Sequence, residues 1–228
     1  YKRILQLKKQ TNEKRKALKP SLPPIPVFAV VEDVCASGGY YIAMSCDEIL
    51  VDPSSIVGSI GVVGGGFGFV GLANKIGIER RVYTSGKSKS QLDPFLPEKE
   101  NDLKAQQHLM DQIHQEFIRV VQESRGNKLN ITAAKDMAAS LGREGDGLFD
   151  GSYYTGKDAI SLGLADAIGD LQSEVVKRYG DKCVIVDCSP QGGLGSLLGL
   201  SVSGLVGDFV AELDREALYA RFGGFGKQ

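Results

Sequence analysis

The sequence predicts an α/β fold, and three stretches carry that prediction. A strand-like run, Pro26-Val27-Phe28-Ala29-Val30-Val31, leads through the small-residue stretch Val34–Tyr41 into Ile42-Ala43-Met44-Ser45, which continues as a helix. A second short strand, Asp47–Val51, is ended by Asp52-Pro53; after it, Ser54–Val63 alternates apolar with small residues, as in a strand packed closely on another backbone. Leu103, Met110, Ile113, Phe117, Val120 and Val121 then recur at helical spacing over Glu98–Ser124, and Arg125-Gly126-Asn127 ends that helix. At 228 residues the chain is one large domain or two small ones, and 42% hydrophobic residues suffice for a real core. A net charge of −1 gives no global attraction to nucleic acid or anionic lipid.

Taken in order, Tyr1–Leu18 reads as a helix already under way at residue 1, with no cap before it, so the chain is expected to be a fragment of a longer protein. Residues 1–19 carry Lys2, Arg3, Lys8, Lys9, Lys14, Arg15, Lys16 and Lys19 against Glu13, a basic stripe that suits either a solvated face or contact with lipid head groups or a partner. The proline-rich run Lys19–Pro26 stops the helix, because proline lacks the amide and forces extended geometry before it. Further on, Leu72–Ile76 resembles a helix and Glu79–Thr84 a strand. Ile131–Leu141, Ala159–Leu162 and Leu171–Tyr179 read as helices, Cys183–Val186 as a strand, and Gly142–Gly151 as a Gly/Asp-rich loop beside the substrate path. The expected organisation is a basic helix at 1–19 belonging to an upstream unit, a core at 20–187, a Gly-rich apolar linker at 188–207 and an amphipathic helix at 208–228.

Cys35, Cys46, Cys183 and Cys188 fit no common zinc spacing and have no histidine nearby, so they read as reduced, mostly buried thiols, and no metal or cofactor is expected. Gly66, Gly68 and Gly71 spell the G-x-G-x-x-G fingerprint of dinucleotide sites. The next strand ends in no acid, however, and the loop holds bulky Phe67 and Phe69, which argues against a nucleotide.

Ser37 lies between small residues where a strand meets a helix, so its hydroxyl is exposed and the N–H groups of Gly38 and Gly39 are unencumbered. This is either an ordinary capped turn or a nucleophile beside oxyanion donors. Both histidines, His108 and His114, sit on the long helix; His114 shares the apolar stripe and reads as a packed or interface residue rather than a base. A lysine is the other activator, and only when neutral: at a pKa of about 10.4 roughly one in 2,500 is neutral at pH 7, so burial or a nearby cation must lower it. Lys87 and Lys89, on the loop Ser85–Ser90 near Leu92 and Phe95, are the candidates, or else two solvated lysines.

Four motifs in order make the chain resemble a known family. Ala36-Ser37-Gly38-Gly39-Tyr40-Tyr41-Ile42-Ala43, Val57-Gly58-Ser59-Ile60-Gly61-Val62, Ser85–Ser90 with Asp93-Pro94-Phe95, and Tyr154-Thr155-Gly156-Lys157-Asp158-Ala159 with Leu162–Asp166 are similar to the signal peptide peptidase A family, the S49 serine peptidases. The resemblance spans about Val27–Asp187. It implies a ClpP/crotonase-like fold of repeated ββα units and a Ser/Lys dyad. Ser37 would be the nucleophile, Lys89 rather than Lys87 the general base, Ser59 a hydroxyl orienting the amine, and Gly38 a backbone oxyanion donor. It implies an endopeptidase acting on signal peptides or membrane-derived fragments, in a membrane-associated homo-oligomeric ring whose anchor lies upstream; no nucleic acid is involved. A D-S-P-G-G-like turn that completes the oxyanion hole is also expected upstream of residue 1. A catalytically silent scaffold of the same family is the competing reading.

Overall fold

The computed structural model describes residues 1–86 and 88–188, which fall in two compact units, Tyr1–Arg178 and the part from Tyr179 onward. Lys87, the expected linker from 189 on and the expected terminal helix at 208–228 lie outside the described residues.

The first unit opens with helix α1 (Lys2–Leu18), which buries none of its residues and ends where Lys19 turns extended ahead of the prolines. Two three-stranded sheets follow. One holds β1 (Phe28–Val31), β3 (Glu48–Val51) and β6 (Ala167–Ile168), all parallel, in the order β1-β3-β6. The other holds β2 (Val34–Ala36), β4 (Ile56–Gly58) and β5 (Tyr153–Thr155) in the order β2-β4-β5; β2 and β4 are parallel, β4 and β5 antiparallel. The chain therefore alternates sheets: β1 then β2 then helix α2 (Gly38–Ala43), and β3 then β4 before the next helices. This is the α/β fold with repeated ββα units. The third passage runs in reverse, from β5 through α6 (Gly156–Ser161) to β6.

Strands this short gain little from ladder length, and the central strands β3 and β4 are the most buried. Ile49, Val51 and Val57 are fully buried, and they meet Tyr40, Ile60, Leu148, Leu162 and Leu164 in one core. The long helix α4 (Glu100–Arg125) closes this core with Phe117, Val120 and Val121. Only its C-terminal half is buried: Leu103, Leu109 and Ile113 are 45 to 50% exposed, so the apolar stripe runs past the core of the first unit. Helix α3 (Val70–Lys75) precedes it; α5 (Ile131–Ser140), capped by the Asn130 side chain on the Ala133 amide, and α7 (Leu171–Tyr179) follow.

Several sequence expectations are corrected. Glu79–Thr84 forms no strand, because it pairs with no other segment among the described residues and is mostly exposed; its charges are spent on side-chain pairs, Arg80 with Asp93 and Arg81 with Glu79. Cys183–Val186, in the second unit, is likewise unpaired among the described residues, with Val184 and Val186 exposed. The 54–63 strand stops at Gly58, because both Gly58 and Ser59 adopt positive φ (109° and 54°) and turn the chain. The four cysteines are free, but only Cys35 is buried, its thiol pushed up to about 11 chiefly by that burial; Cys183 and Cys188 are exposed.

Arg125 and Asp166 lock these elements together. The buried Arg125 donates Nε to the Gly163 carbonyl (2.8 Å) and two nitrogens to the Asp166 carboxylate (2.8 and 3.1 Å). Asp166 also accepts from Lys128 Nζ (2.7 Å) and from the Ile49 amide (2.8 Å), and its own amide donates to the Ile49 carbonyl (2.9 Å). Burial alone would raise the Asp166 pKa, but the hydrogen bonds from Arg125 and Lys128 outweigh it and hold the carboxyl at about 2. Removing one partner of such a buried pair strands the other, so Arg125→Ala is expected to lose about 3–5 kcal/mol in urea denaturation at pH 7. The folded pKa lies below the ordinary 3.8, so the carboxylate's contribution is complete above that value and lost as pH falls through about 2. Asp166→Asn should therefore be less stable than wild type at pH 7, with the gap closing by about 2 kcal/mol between pH 4 and pH 2.

Candidate active site

Ser37 occupies the single residue between β2 and α2, at φ 51° and ψ −119°. An L-residue is strained there, and a serine held in that state at a strand-to-helix elbow has its side chain turned out of the chain path. Two backbone bonds hold it: the Ser37 amide donates to the Gly58 carbonyl (2.9 Å), and the Ser37 carbonyl accepts from the Tyr41 amide (2.9 Å). Buried Tyr40 anchors the helix that follows, its hydroxyl donating to the Leu164 carbonyl (2.8 Å). Gly38 is the first residue of α2, where the amide has no partner within the helix, and a Cβ on Gly38 or Gly39 would meet nothing within 4 Å. The approach to the serine from this side is open.

Ser59 is the second strained serine, immediately after β4. Its amide donates to the Ser152 carbonyl (2.7 Å), and its carbonyl accepts from the Gly61 amide (3.0 Å). A Cβ on Gly61 would lie 3.0 Å from Gly151 Cα, so glycine at position 61 lets the 142–152 loop press against this turn.

Ser37, Gly38 and Ser59 line one cleft of about 950 Å³. Its apolar wall is Tyr41, Val62, Val63, Leu109, Ile113 and Phe117, with Tyr41 and Phe117 packed edge to face at 5.2 Å between ring centres. Gln112, His114, Glu116, Asp150 and Gly151 complete it, so the Gly/Asp-rich loop reaches the cleft as the sequence suggests. Lys89 does not line this cleft. It is exposed, in a turn closed by its own amide on the Gly86 carbonyl (3.2 Å). The loop is braced instead by Asp93, which receives Arg80 (3.0 Å), the Ser90 hydroxyl (3.4 Å) and the Phe95 amide (3.0 Å). The structure thus brings Ser37, Ser59 and Gly38 together and leaves Lys89 apart.

The sequence reads His114 as a packed or interface residue rather than a base, and the structure puts it in the cleft lining; the signal was its place one turn before Phe117, which lines the same cleft. The G-x-G-x-x-G run does not sit in a βα turn: the segment before α3, from Gly61 to Phe69, contains no strand.

The family model described as peptidase family S49 matches residues 23–182, more than half of the chain. The chain belongs to peptidase family S49. It is 44% identical over 210 residues to a protein named Na(+)/H(+) antiporter NhaA from Brucella abortus (strain 2308), an alignment covering 86% of this chain and 27% of that one. An alignment of that extent takes in most of the S49 segment, so the shared part is peptidase-family sequence. The putative signal peptide peptidase SppA of Enterococcus faecium is 32% identical over 145 residues (64% of this chain, 38% of the relative), and the chloroplastic serine protease SPPA of Arabidopsis thaliana is 32% identical over 151 residues (66% and 20%). The chain spans only about a fifth to two fifths of these relatives. A solved enoyl-CoA hydratase/isomerase family member aligns at a TM-score of 0.27 and 18% identity over 67% of this chain and 35% of its own, too weak to argue from. No helix among the described residues is long and apolar enough to cross a membrane.

Backbone strain at Ser37 has a measurable consequence. Glycine adopts φ 51° without penalty, so Ser37→Gly is expected to keep or raise the thermal midpoint, by up to about 1 kcal/mol in stability, while removing the hydroxyl. A drop in the midpoint would show that the serine is not held under strain.

Proposed function

We propose that this S49 chain carries the nucleophile of a serine endopeptidase that cleaves signal peptides or membrane-derived peptides through an acyl-enzyme. The observation that carries the reading is the strained elbow at Ser37, opening onto a cleft with an apolar wall. Ser37 Oγ attacks the peptide carbonyl and loses its proton to a neutral lysine, Lys89. Ser59 orients that amine, and the Gly38 N–H receives the developing oxyanion. The lysine then protonates the leaving amine, and water hydrolyses the ester. Tyr41, Val63, Ile113 and Phe117 suit the small or apolar side chains of such peptides.

Because Lys89 stands outside the cleft, the reading requires the 85–97 loop to close over Ser37 or a second copy of the chain to present its lysine there. Either movement takes an ammonium out of water, which is what lowers a lysine pKa towards neutrality. The second route agrees with the homo-oligomeric ring that the family resemblance implies. Attachment to a membrane through an upstream segment belongs to the same reading.

Intact-mass labelling of the full-length protein with a fluorophosphonate tests it. Wild type should gain one adduct, Ser37→Ala none, and Lys89→Ala should label at least about 10²-fold more slowly, as expected for loss of a general base. Mixing the two variants restores labelling if the lysine comes from a second copy, and does not if the loop closes within one chain. A folded, full-length wild type that never labels sinks the peptidase reading in favour of a silent scaffold.

A further inference from the structure

The turn from Gly58 to Gly61 is the shelf on which both serines rest, and backbone bonds hold it from two sides only. Gly58 supplies the carbonyl that fixes the Ser37 amide (2.9 Å), and Ser59 is tied to the 142–152 loop through the Ser152 carbonyl (2.7 Å). On the side of α4 the contact is a side chain: His114 Nε2 lies 3.2 Å from the Ile60 carbonyl oxygen. The turn needs that restraint. Gly58 and Ser59 both have positive φ, so the chain is not held there by its own preferences, and the Ile60 side chain is fully buried while its carbonyl reaches the half-buried imidazole.

We propose that His114 is a positioning residue of the catalytic centre, whose Nε2–H holds the Ile60 carbonyl and thereby fixes the turn that aligns Ser59 with Ser37. This rests on the peptidase reading of the cleft. A carbonyl oxygen only accepts, so Nε2 must carry the hydrogen, and that nitrogen is then unable to take the Ser37 proton. The neutral Nε2–H tautomer and the doubly protonated ring both carry the hydrogen this bond needs. The Ile60 carbonyl and the Gly61 N–H share one planar peptide, and the Gly61 N–H is itself bonded to the Ser59 carbonyl (3.0 Å). Holding one end of that plane restrains the other, and with it the Ser59 backbone.

Glutamine and asparagine at position 114 separate this role from the alternatives, because a glutamine amide reaches the place of Nε2 and an asparagine amide only that of Nδ1. In the full-length protein, His114→Asn is expected to slow fluorophosphonate labelling of Ser37 by up to roughly 10²-fold, the scale of a small misplacement of reacting groups. It should also speed hydrogen exchange at the Ser59 and Gly61 amides. His114→Gln should recover most of both. Two results overturn the proposal: a glutamine variant as slow to label as the asparagine one although its turn is protected, which makes the ring a base, or an asparagine variant matching wild type in labelling and exchange. Should wild type itself fail to label, the peptidase reading falls while amide exchange still decides whether His114 holds the turn.

Discussion

The first unit depends on one buried charge pair. Arg125 and Asp166 are 41 residues apart, and Asp166 also bonds Ile49, 117 residues before it, twice: its carboxylate accepts from the Ile49 amide and its own amide donates to the Ile49 carbonyl. Through them the end of α4, the centre of β3 and the segment entering β6 become one joint. Strands of two to four residues supply few ladder bonds, so a joint that binds three elements does what longer sheets do elsewhere. The arrangement works because each guanidinium nitrogen of Arg125 finds an acceptor, Nε the Gly163 carbonyl and the other two the Asp166 carboxylate oxygens, while the Ile49 amide donates to that same carboxylate.

From that joint the frame reaches Ser37 by short steps. The Leu164 carbonyl, two residues before Asp166, accepts the buried Tyr40 hydroxyl, and Tyr40 lies three residues after Ser37. The second sheet holds the other side, where β2 and β4 run parallel and deliver Ser37 and Ser59 to the same end. Both serines sit at positive φ. Such conformations persist only where surrounding contacts overdetermine them, and here Gly58, Ser152, Tyr41 and His114 do so. Two strained serines on adjacent strand ends, facing one cleft, are difficult to explain as packing alone.

The 61–97 segment behaves differently. Val63, Phe67 and Tyr83 are each more than four-fifths exposed, and beside them the N-terminal half of α4 carries half-exposed Leu103, Leu109 and Ile113. Lys89 belongs to this part of the molecule. Lys89 thus lies on a largely exposed segment outside the cleft lining, whereas Ser37 and Ser59 are held by backbone bonds at the ends of β2 and β4.

What the sequence determined was local. Prolines at 20, 23, 24 and 26 end the first helix; Val27–Val31 and Asp47–Val51 become parallel strands; helical spacing places Phe117, Val120 and Val121 against the core; and Ser37 falls at the elbow where small residues permit one. These follow from periodicity, missing amides and side-chain volume, all readable from neighbours in the chain. The tertiary structure decided the rest. Strands β2, β5 and β6 are two or three residues long and exist only because distant partners pair with them, while Glu79–Thr84 has strand composition and no such partner among the described residues. His114 looks like any stripe residue until the Ile60 carbonyl is found opposite it. Pairing and cleft membership are contacts between residues far apart in sequence, and a local pattern holds no information on which of them will meet.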